Sequence, residues 1–148
     1  MENTSISTLL GQKAAALFTV SPNVTIAEAV SEMNRRKVGS VLVLEDGRLA
    51  GIFTERDVLT RVVACDVDPK QHTVAEAMTR DPMTIAASAT VEEVLAIFTS
   101  RRFRHLPVME GDRVVGLISI GDVSRWISEA YRHEAQQLKQ YIAGGYAP

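Results

Sequence analysis

Two seven-residue stretches carry the side chains best placed for chemistry in this 148-residue chain. The first is Gly51-Ile52-Phe53-Thr54-Glu55-Arg56-Asp57; the second, 65 residues later, is Gly116-Leu117-Ile118-Ser119-Ile120-Gly121-Asp122. In each, a glycine and two apolar residues lead to a hydroxyl, and an aspartate follows three positions beyond it. The pattern reads as a short buried strand entering a helix. Thr54 and Ser119 sit at N-cap positions, and Asp57 and Asp122 fall in the first turn. Such a junction gathers hydroxyl, carboxylate and free backbone N–H groups, and the N–H groups with the helix dipole favour an anion.

Little else in the sequence offers chemistry. Cys65, His72 and His133 lack zinc-ligand spacing, and no nucleophile–base pair, metal motif or P-loop appears, so neither a metal site nor catalysis is expected. The single cysteine excludes an intramolecular disulfide framework, and Cys65 reads as inert at a helix end. Met33, Met78, Met83 and Met109 read as core filling. Trp126 and Tyr131 on the last helix serve as core or as oligomer contacts.

The elements that must position the two junctions form a repeat. An offset of 65 aligns the halves without a gap: Thr19-Val20 with Thr84-Ile85, Thr25 and Glu28 with Thr90 and Glu93, Gly51 with Gly116, Asp57-Val58 with Asp122-Val123. Two copies are too few for a solenoid, so a closed pseudo-two-fold pair is expected. In each copy a short strand precedes a helix opened by a capping box, Thr25 with Glu28 and Thr90 with Glu93. The apolar run Val38 to Leu44 predicts a buried strand, Asp46-Gly47 a two-residue hairpin turn, and Leu49 to Phe53 the return strand. A helix from Thr54 to about Ala64 closes the first copy. The second repeats the order, with Glu110-Gly111-Asp112 as its turn and Pro107 marking an edge position or a distortion. Short helices precede both copies, one near Leu9, Leu10, Ala14, Ala15 and Leu17 with Asn3, Thr4, Ser5 or Ser7 as cap, the other over Val74 to Met78. The expected fold is α+β, each copy a three-stranded sheet packed with helices. The domain boundaries are 1–66 for the first copy with its N-terminal helix, 67–73 for a linker and 74–130 for the second copy. An extension of the last helix occupies 131–148, and its apolar positions recur every three to four residues as far as Ile142.

Composition narrows the function classes. With 46% hydrophobic and 23% charged residues, the chain suits one soluble globular unit with a core of aliphatic side chains. A net charge of −2 gives no basic footprint for nucleic acid. The first twenty residues lack signal-peptide order and no apolar run approaches a membrane span, so a cytoplasmic protein is the expectation.

The order of capped helix, apolar strand, Asp-Gly turn and G-h-h-[TS]-x-x-D resembles a cystathionine-β-synthase (CBS) domain, and two in tandem resemble a CBS pair, or Bateman module, of the stand-alone bacterial type. The resemblance spans about residues 9–128. It implies a regulatory module that binds an adenosine-containing ligand (AMP, ADP or ATP) in the clefts between the copies and signals to a partner protein. S-adenosylmethionine and NAD(H) are alternative ligands, and no cofactor is required. It further implies that Asp57 and Asp122 accept the ribose hydroxyls, which a carboxylate can do for both O–H groups of a cis-diol. Thr54 and Ser119 would bond ribose or phosphate. Backbone groups of Thr19, Val20, Val38, Gly39, Ser40 and Val41, and of Thr84, Ile85 and Phe103 to Leu106 would meet adenine. Arg104 and His105, just before Leu106 and Pro107, would face phosphates, with Arg56 as a further phosphate contact. Gly39 and Ser40 stand at the positions of Arg104 and His105 in the first copy and carry no charge. The second copy is therefore expected to hold the stronger phosphate site, with Asp122 mattering more than Asp57. The resemblance also implies a homodimer, supported by the overhanging last helix, and an effector protein of unstated identity. The contrasting reading is a constitutive assembly module with empty clefts. An enzyme is not expected, because the barrel to which some relatives are fused needs about 250 residues.

Overall fold

The computed structural model describes residues 4–12 and 17–145. The N-terminal helix is α1, Ile6–Gln12; its expected members Ala14 and Ala15 and the cap candidate Asn3 lie outside the described residues. The first copy follows as β1 (Thr19–Val20), α2 (Ile26–Arg36), β2 (Ser40–Glu45), β3 (Arg48–Thr54) and α3 (Glu55–Asp57). Then come α4 (Val74–Ala77), β4 (Thr79–Arg80) and the second copy: β5 (Ile85–Ala86), α5 (Val91–Arg101), β6 (His105–Glu110), β7 (Arg113–Ser119) and α6 (Ile120–Gly145).

Both capping boxes form. Glu28 N–H donates to Thr25 Oγ1 at 3.1 Å while Thr25 N–H donates to Glu28 Oε2 at 3.2 Å; Thr90 and Glu93 repeat this at 3.1 and 3.0 Å. Each of these helices ends on a left-handed residue, Lys37 or Arg102. Arg36 stacks 4.2 Å above the Phe18 ring, and Arg35 and Arg36 both bond Glu32, whose carboxyl the Arg35 guanidinium holds below its ordinary value. Asp46 and Gly47 both take positive φ, as a two-residue hairpin turn between right-twisted strands requires.

Four local features depart from the expected elements. The helix after β3 is α-helical only to Asp57 and then widens to a π-helix over Val58–Val63, with Ala64 N–H donating to Leu59 O. That segment contains three valines and a threonine, whose β-branching weakens the ordinary α-helical packing. Second, β4 adds to β3 in antiparallel register (Gly51 opposite Arg80, Ile52 opposite Thr79), so the first sheet has four strands, β1-β2-β3-β4, against three in the second, β5-β6-β7. Third, Pro107 lies in the middle strand β6. The two-residue β5 pairs only with Val108 and Met109, so the flank of Pro107 on that side has no ladder to interrupt. Fourth, Met83 is exposed rather than core, whereas Met33 and Met78 are buried.

The cores exchange helices. Ile26, Ala29, Met33, Val41, Val43 and Phe53 of the first copy pack with Val74, Ala77 and Met78, the segment that precedes the second copy. Val91, Val94, Phe98, Leu106, Val108, Ile118 and Val123 pack with Ile6 and Leu9 of α1, which precedes the first. Ile6/Val74, Leu9/Ala77 and Leu10/Met78 correspond at an offset of 68, three more than the remainder of the repeat. The motif glycines make room for these crossing segments. A Cβ on Gly51 would come within 2.6 Å of the Thr79 carbonyl oxygen and 2.7 Å of Met78 Sδ; one on Gly116 would meet the Leu10 methyls at 2.8 Å. A third cluster, Leu42, Ile52 and Val114 flanked by Leu44 and Leu117, joins the two sheets.

Helix α6 buries Val123 in the second core and packs the partly buried Trp126 and Ile127 against it. From Tyr131 to Gly144 every residue is exposed. Among the described residues no helix is long and apolar enough to cross a membrane.

Candidate functional site

Each junction closes on itself as a cap. In the first, Asp57 N–H donates to Thr54 Oγ1 at 3.2 Å, while the Thr54 N–H and hydroxyl donate to Asp57 Oδ2 at 3.0 and 3.2 Å. The other oxygen, Oδ1, accepts from Thr79 Oγ1 at 3.2 Å and lies 3.4 Å from Arg61 Nε. Asp57 is only 6% exposed, and its four partners come close to exhausting what two carboxylate oxygens can accept. In the second, Ser119 N–H donates to Asp122 Oδ2 at 2.9 Å and Asp122 N–H to Ser119 Oγ at 3.0 Å. Asp122 Oδ1 is 3.5 Å from Arg125, whose side chain is largely exposed. The first-turn N–H groups are also engaged: Glu55 N–H donates to Gly39 O at 3.0 Å, and Ile120 N–H to Arg104 O at 2.9 Å. With these and the Asp57 and Asp122 amides occupied, each junction offers an anion fewer free N–H groups than its sequence suggests.

Those two bonds also fix where the junctions face. They tie each helix start to the chain entering the middle strand of the same copy, and a cleft opens beside each. The larger, about 780 Å3, is lined by Thr54, Glu55, Arg56, Asp57, Arg61, Thr79 and Asp81 on one side and by Arg101, Arg102, Phe103, Arg104, His105 and Leu106 on the other. The smaller, about 340 Å3, combines Ser119, Asp122, Val115 and Leu117 with Leu10, Phe18, Lys37, Val38, Gly39 and Ser40. Gly39 and His105 line both. A third concavity of about 530 Å3, between α2 and the π-helical turn, is walled mainly by aliphatic side chains with Asp66 as the one charged residue in its lining. It lacks the converging polar groups of a recognition site.

The pairing across the clefts is crossed relative to the expectation from sequence. Arg104 of the second copy lines the cleft of Asp57 and Thr54 of the first and not that of Asp122 and Ser119, while His105 lines both, because the pseudo-two-fold sets each junction opposite the other copy's middle-strand entry. The basic cleft is therefore the one that holds Asp57. Five arginines line it against three carboxylates, Glu55, Asp57 and Asp81, whereas Lys37 and Asp122 balance in the smaller cleft.

Of the residues singled out from sequence, Thr54, Arg56, Asp57, Arg104, His105 and Leu106 meet in the large cleft, and Val38, Ser40, Ser119 and Asp122 in the small one, with Gly39 and His105 shared. Thr19 and Val20 pair with Leu42 and Val43 in the sheet. Val41 is buried in the first core, Ile85 packs on the second, Pro107 is buried in β6 and Thr84 is exposed beyond β5; neither cleft takes these six in its lining. Sequence reasoning missed Arg61, Thr79, Arg101, Arg102 and Lys37. Arg61 stands four residues after Asp57, the spacing of a helical ion pair, and that signal was readable. Thr79 was not, since only the crossing of α4 and β4 onto the first copy brings it to Asp57. Among the described residues no group of three or more His, Cys, Asp or Glu side chains is arranged to hold a metal ion.

Comparison with known proteins agrees with this architecture. The CBS-domain family profile matches residues 14–64 and 74–129. An Arabidopsis thaliana protein, the mitochondrial CBS domain-containing protein CBSX3, is 32% identical over 98% of this chain and 75% of its own length. The crystal structure of the CBS-domain protein ATU1752 from Agrobacterium tumefaciens superposes with a TM-score of 0.77 at 39% identity, covering 82% of this chain and 98% of that one. The structure of CBSX2 in complex with AMP superposes with a TM-score of 0.72 at 20% identity over 86% of this chain and 98% of that one, a likeness of fold. With two profile matches, one for each half of the internal repeat, the chain belongs to the CBS-domain family and carries two copies of the domain in tandem.

Proposed function

We propose that this CBS pair is a sensor of an adenosine-containing ligand, AMP, ADP or ATP, bound in the larger cleft and signalled to a partner protein. CBS-domain proteins are regulatory modules. The observation that carries the reading is the meeting of Thr54, Arg56 and Asp57 with the arginine-rich segment Arg101 to Arg104 across a cleft of about 780 Å3 between the copies. Guanidinium groups suit phosphate because their planar donors match its oxygens. The AMP complex of CBSX2 supports an adenine nucleotide within the fold. A ligand touching both copies stabilises one mutual orientation by its differential affinity, and a partner reads that orientation.

The saturated environment of Asp57 favours a second reading, a constitutive assembly module whose clefts stay empty. Its carboxylate has work to do as a cap and linker contact without any ribose. A thermal-shift and calorimetry panel of AMP, ADP, ATP, S-adenosylmethionine and NAD(H) separates the two. A ligand at 100 times its Kd adds about 2.7 kcal/mol to stability. If no member raises the Tm at millimolar concentration, the sensing reading fails; if S-adenosylmethionine or NAD(H) alone does, the nucleotide assignment fails while sensing stands.

A further inference from the structure

We infer that Arg61 is a phosphate-binding residue of the larger cleft, held ready before any ligand arrives, and that Asp57 serves the ligand by positioning this guanidinium rather than by accepting ribose hydroxyls. The inference rests on the nucleotide reading of that cleft and assigns roles within it. Arg61 stands on the π-helical turn Val58–Val63 and lines the cleft with its side chain 50% exposed. Two anchors hold it. Its Nε lies 3.4 Å from Asp57 Oδ1, and its Nη1 donates at 3.1 Å to the carbonyl of Met78, in the segment between the copies. Both anchoring residues are buried. The other arginines of the lining, Arg56, Arg101, Arg102 and Arg104, make no side-chain hydrogen bond or ion pair among the described residues.

A guanidinium carries five N–H donors in a planar fork. Asp57 and Met78 engage one on Nε and one on Nη1, which leaves both on Nη2 and the second on Nη1 for a ligand. That is enough for a bidentate grip on phosphate, and an arginine already ordered loses less side-chain freedom in making it. Asp57 is the opposite case. Its Oδ2 accepts from the Thr54 N–H and hydroxyl, and its Oδ1 accepts from the Thr79 hydroxyl beside Arg61. A ribose cis-diol would have to displace contacts that cap the helix or hold the arginine. The second copy lacks the device. At the repeat offset of 65 the counterpart of Arg61 is Trp126, which packs against the second core, and Arg125, the partner of Asp122, does not line the smaller cleft.

Isothermal titration of ADP and of inorganic pyrophosphate, which has no ribose, tests the assignment on the full chain. The variants are Arg61→Gln, Arg61→Lys, Asp57→Asn and the Asp57→Asn/Arg61→Gln double, each checked for folding by urea unfolding. Asparagine keeps an oxygen for the Thr54 donors and sets an N–H2 group where Oδ1 faces Arg61. Arg61→Gln should weaken both ligands about ten-fold, and Arg61→Lys, which keeps the charge without the fork, should recover only part of that. Asp57→Asn removes a negative charge and by charge alone would tighten an anion. It should instead weaken pyrophosphate as well as ADP, by about five-fold, and add nothing in the Arg61→Gln background. If Asp57→Asn weakens ADP but not pyrophosphate, or its effect on ADP multiplies with that of Arg61→Gln, the positioning role is overturned. Unchanged ADP affinity in Arg61→Gln overturns the phosphate assignment while the sensing reading stands. A chain that binds pyrophosphate through Arg61 but not ADP upholds the assignment and removes the nucleotide reading; one that binds neither overturns both.

Discussion

The two clefts are made from equivalent parts and differ in what those parts already hold. In the larger, Asp57 is buried and tied to Thr54, Thr79 and Arg61, so one carboxylate joins the junction helix to the segment between the copies. In the smaller, the Asp122 side chain is 14% exposed, its reciprocal cap with Ser119 is matched, and its neighbouring cation, Arg125, extends into solvent. The larger cleft is rich in arginine; the smaller is nearly balanced in charge. A duplicated module can thus keep the geometry of both junctions while the first copy's carboxylate also bonds the Thr79 hydroxyl of the segment between the copies and lies in the arginine-rich cleft.

The largest contrast expected is between the two motif glycines. Gly51→Ala sets a methyl against a backbone carbonyl that cannot step aside without moving β4, at a cost of about 2–3 kcal/mol. Gly116→Ala meets only the ends of the flexible Leu10 side chain, and under about 1 kcal/mol is expected. Urea unfolding of both variants measures this, and equal losses would remove the distinction between the crossing segments. Next, Asp57→Ala should cost about 2 kcal/mol, from charge-assisted hydrogen bonds lost at a buried site. Asp122→Ala should cost about 1 kcal/mol, the worth of an N-cap. The same denaturation series decides it, and the comparison breaks if Asp122→Ala proves the more harmful.

Ligand affinity sharpens the contrast in charge. Arg104→Ala should weaken nucleotide binding by about ten-fold, the loss of one charge-assisted contact, whereas Lys37→Ala in the smaller cleft should leave it within about two-fold. Isothermal titration of both variants is the measurement, and a larger loss from Lys37→Ala would move the site to the smaller cleft. The smallest effect concerns the cap of α4. The Glu76 carboxyl is held below its ordinary value, first by the Thr73 N–H and then by His72. Because its folded pKa lies below the unfolded value of about 4.3, its contribution is complete above that pH and disappears as pH falls through the folded value. Glu76→Gln should therefore flatten the acid limb of the stability profile slightly while leaving stability above pH 6 little changed; an identical acid limb would show that the cap does not couple to folding.

Much of this architecture was legible in the residues. The capped helices, the Asp46-Gly47 turn and the strand-to-helix junctions all rest on local chemistry, and local chemistry is written in adjacent residues. The parity of the repeat located both junctions, because the apolar pattern stays in phase over the whole of each copy. The composition of the larger cleft was only partly legible: Arg104 and His105 stood out as a basic pair, but the junction they face did not. Contacts across a pseudo-two-fold axis have no sequence spacing to reveal them. The added strand β4 was equally hidden, since Thr79-Arg80 is too short for a periodicity and acquires its structure only from the exposed edge of β3.

By itself, then, the sequence determined that there would be two copies, what each copy's elements would be, and that a hydroxyl and a carboxylate would stand at each helix start. Tertiary structure decided the rest. It carried α1 into the second core and α4 into the first because each copy's sheet leaves an apolar face that its own helices do not cover. That exchange set Thr79 beside Asp57, and the pseudo-two-fold brought the arginines of the second copy over the junction of the first. The inequality of Asp57 and Asp122 is therefore a property of packing between distant segments, where burial and partners, rather than residue type, fix what a carboxylate can do.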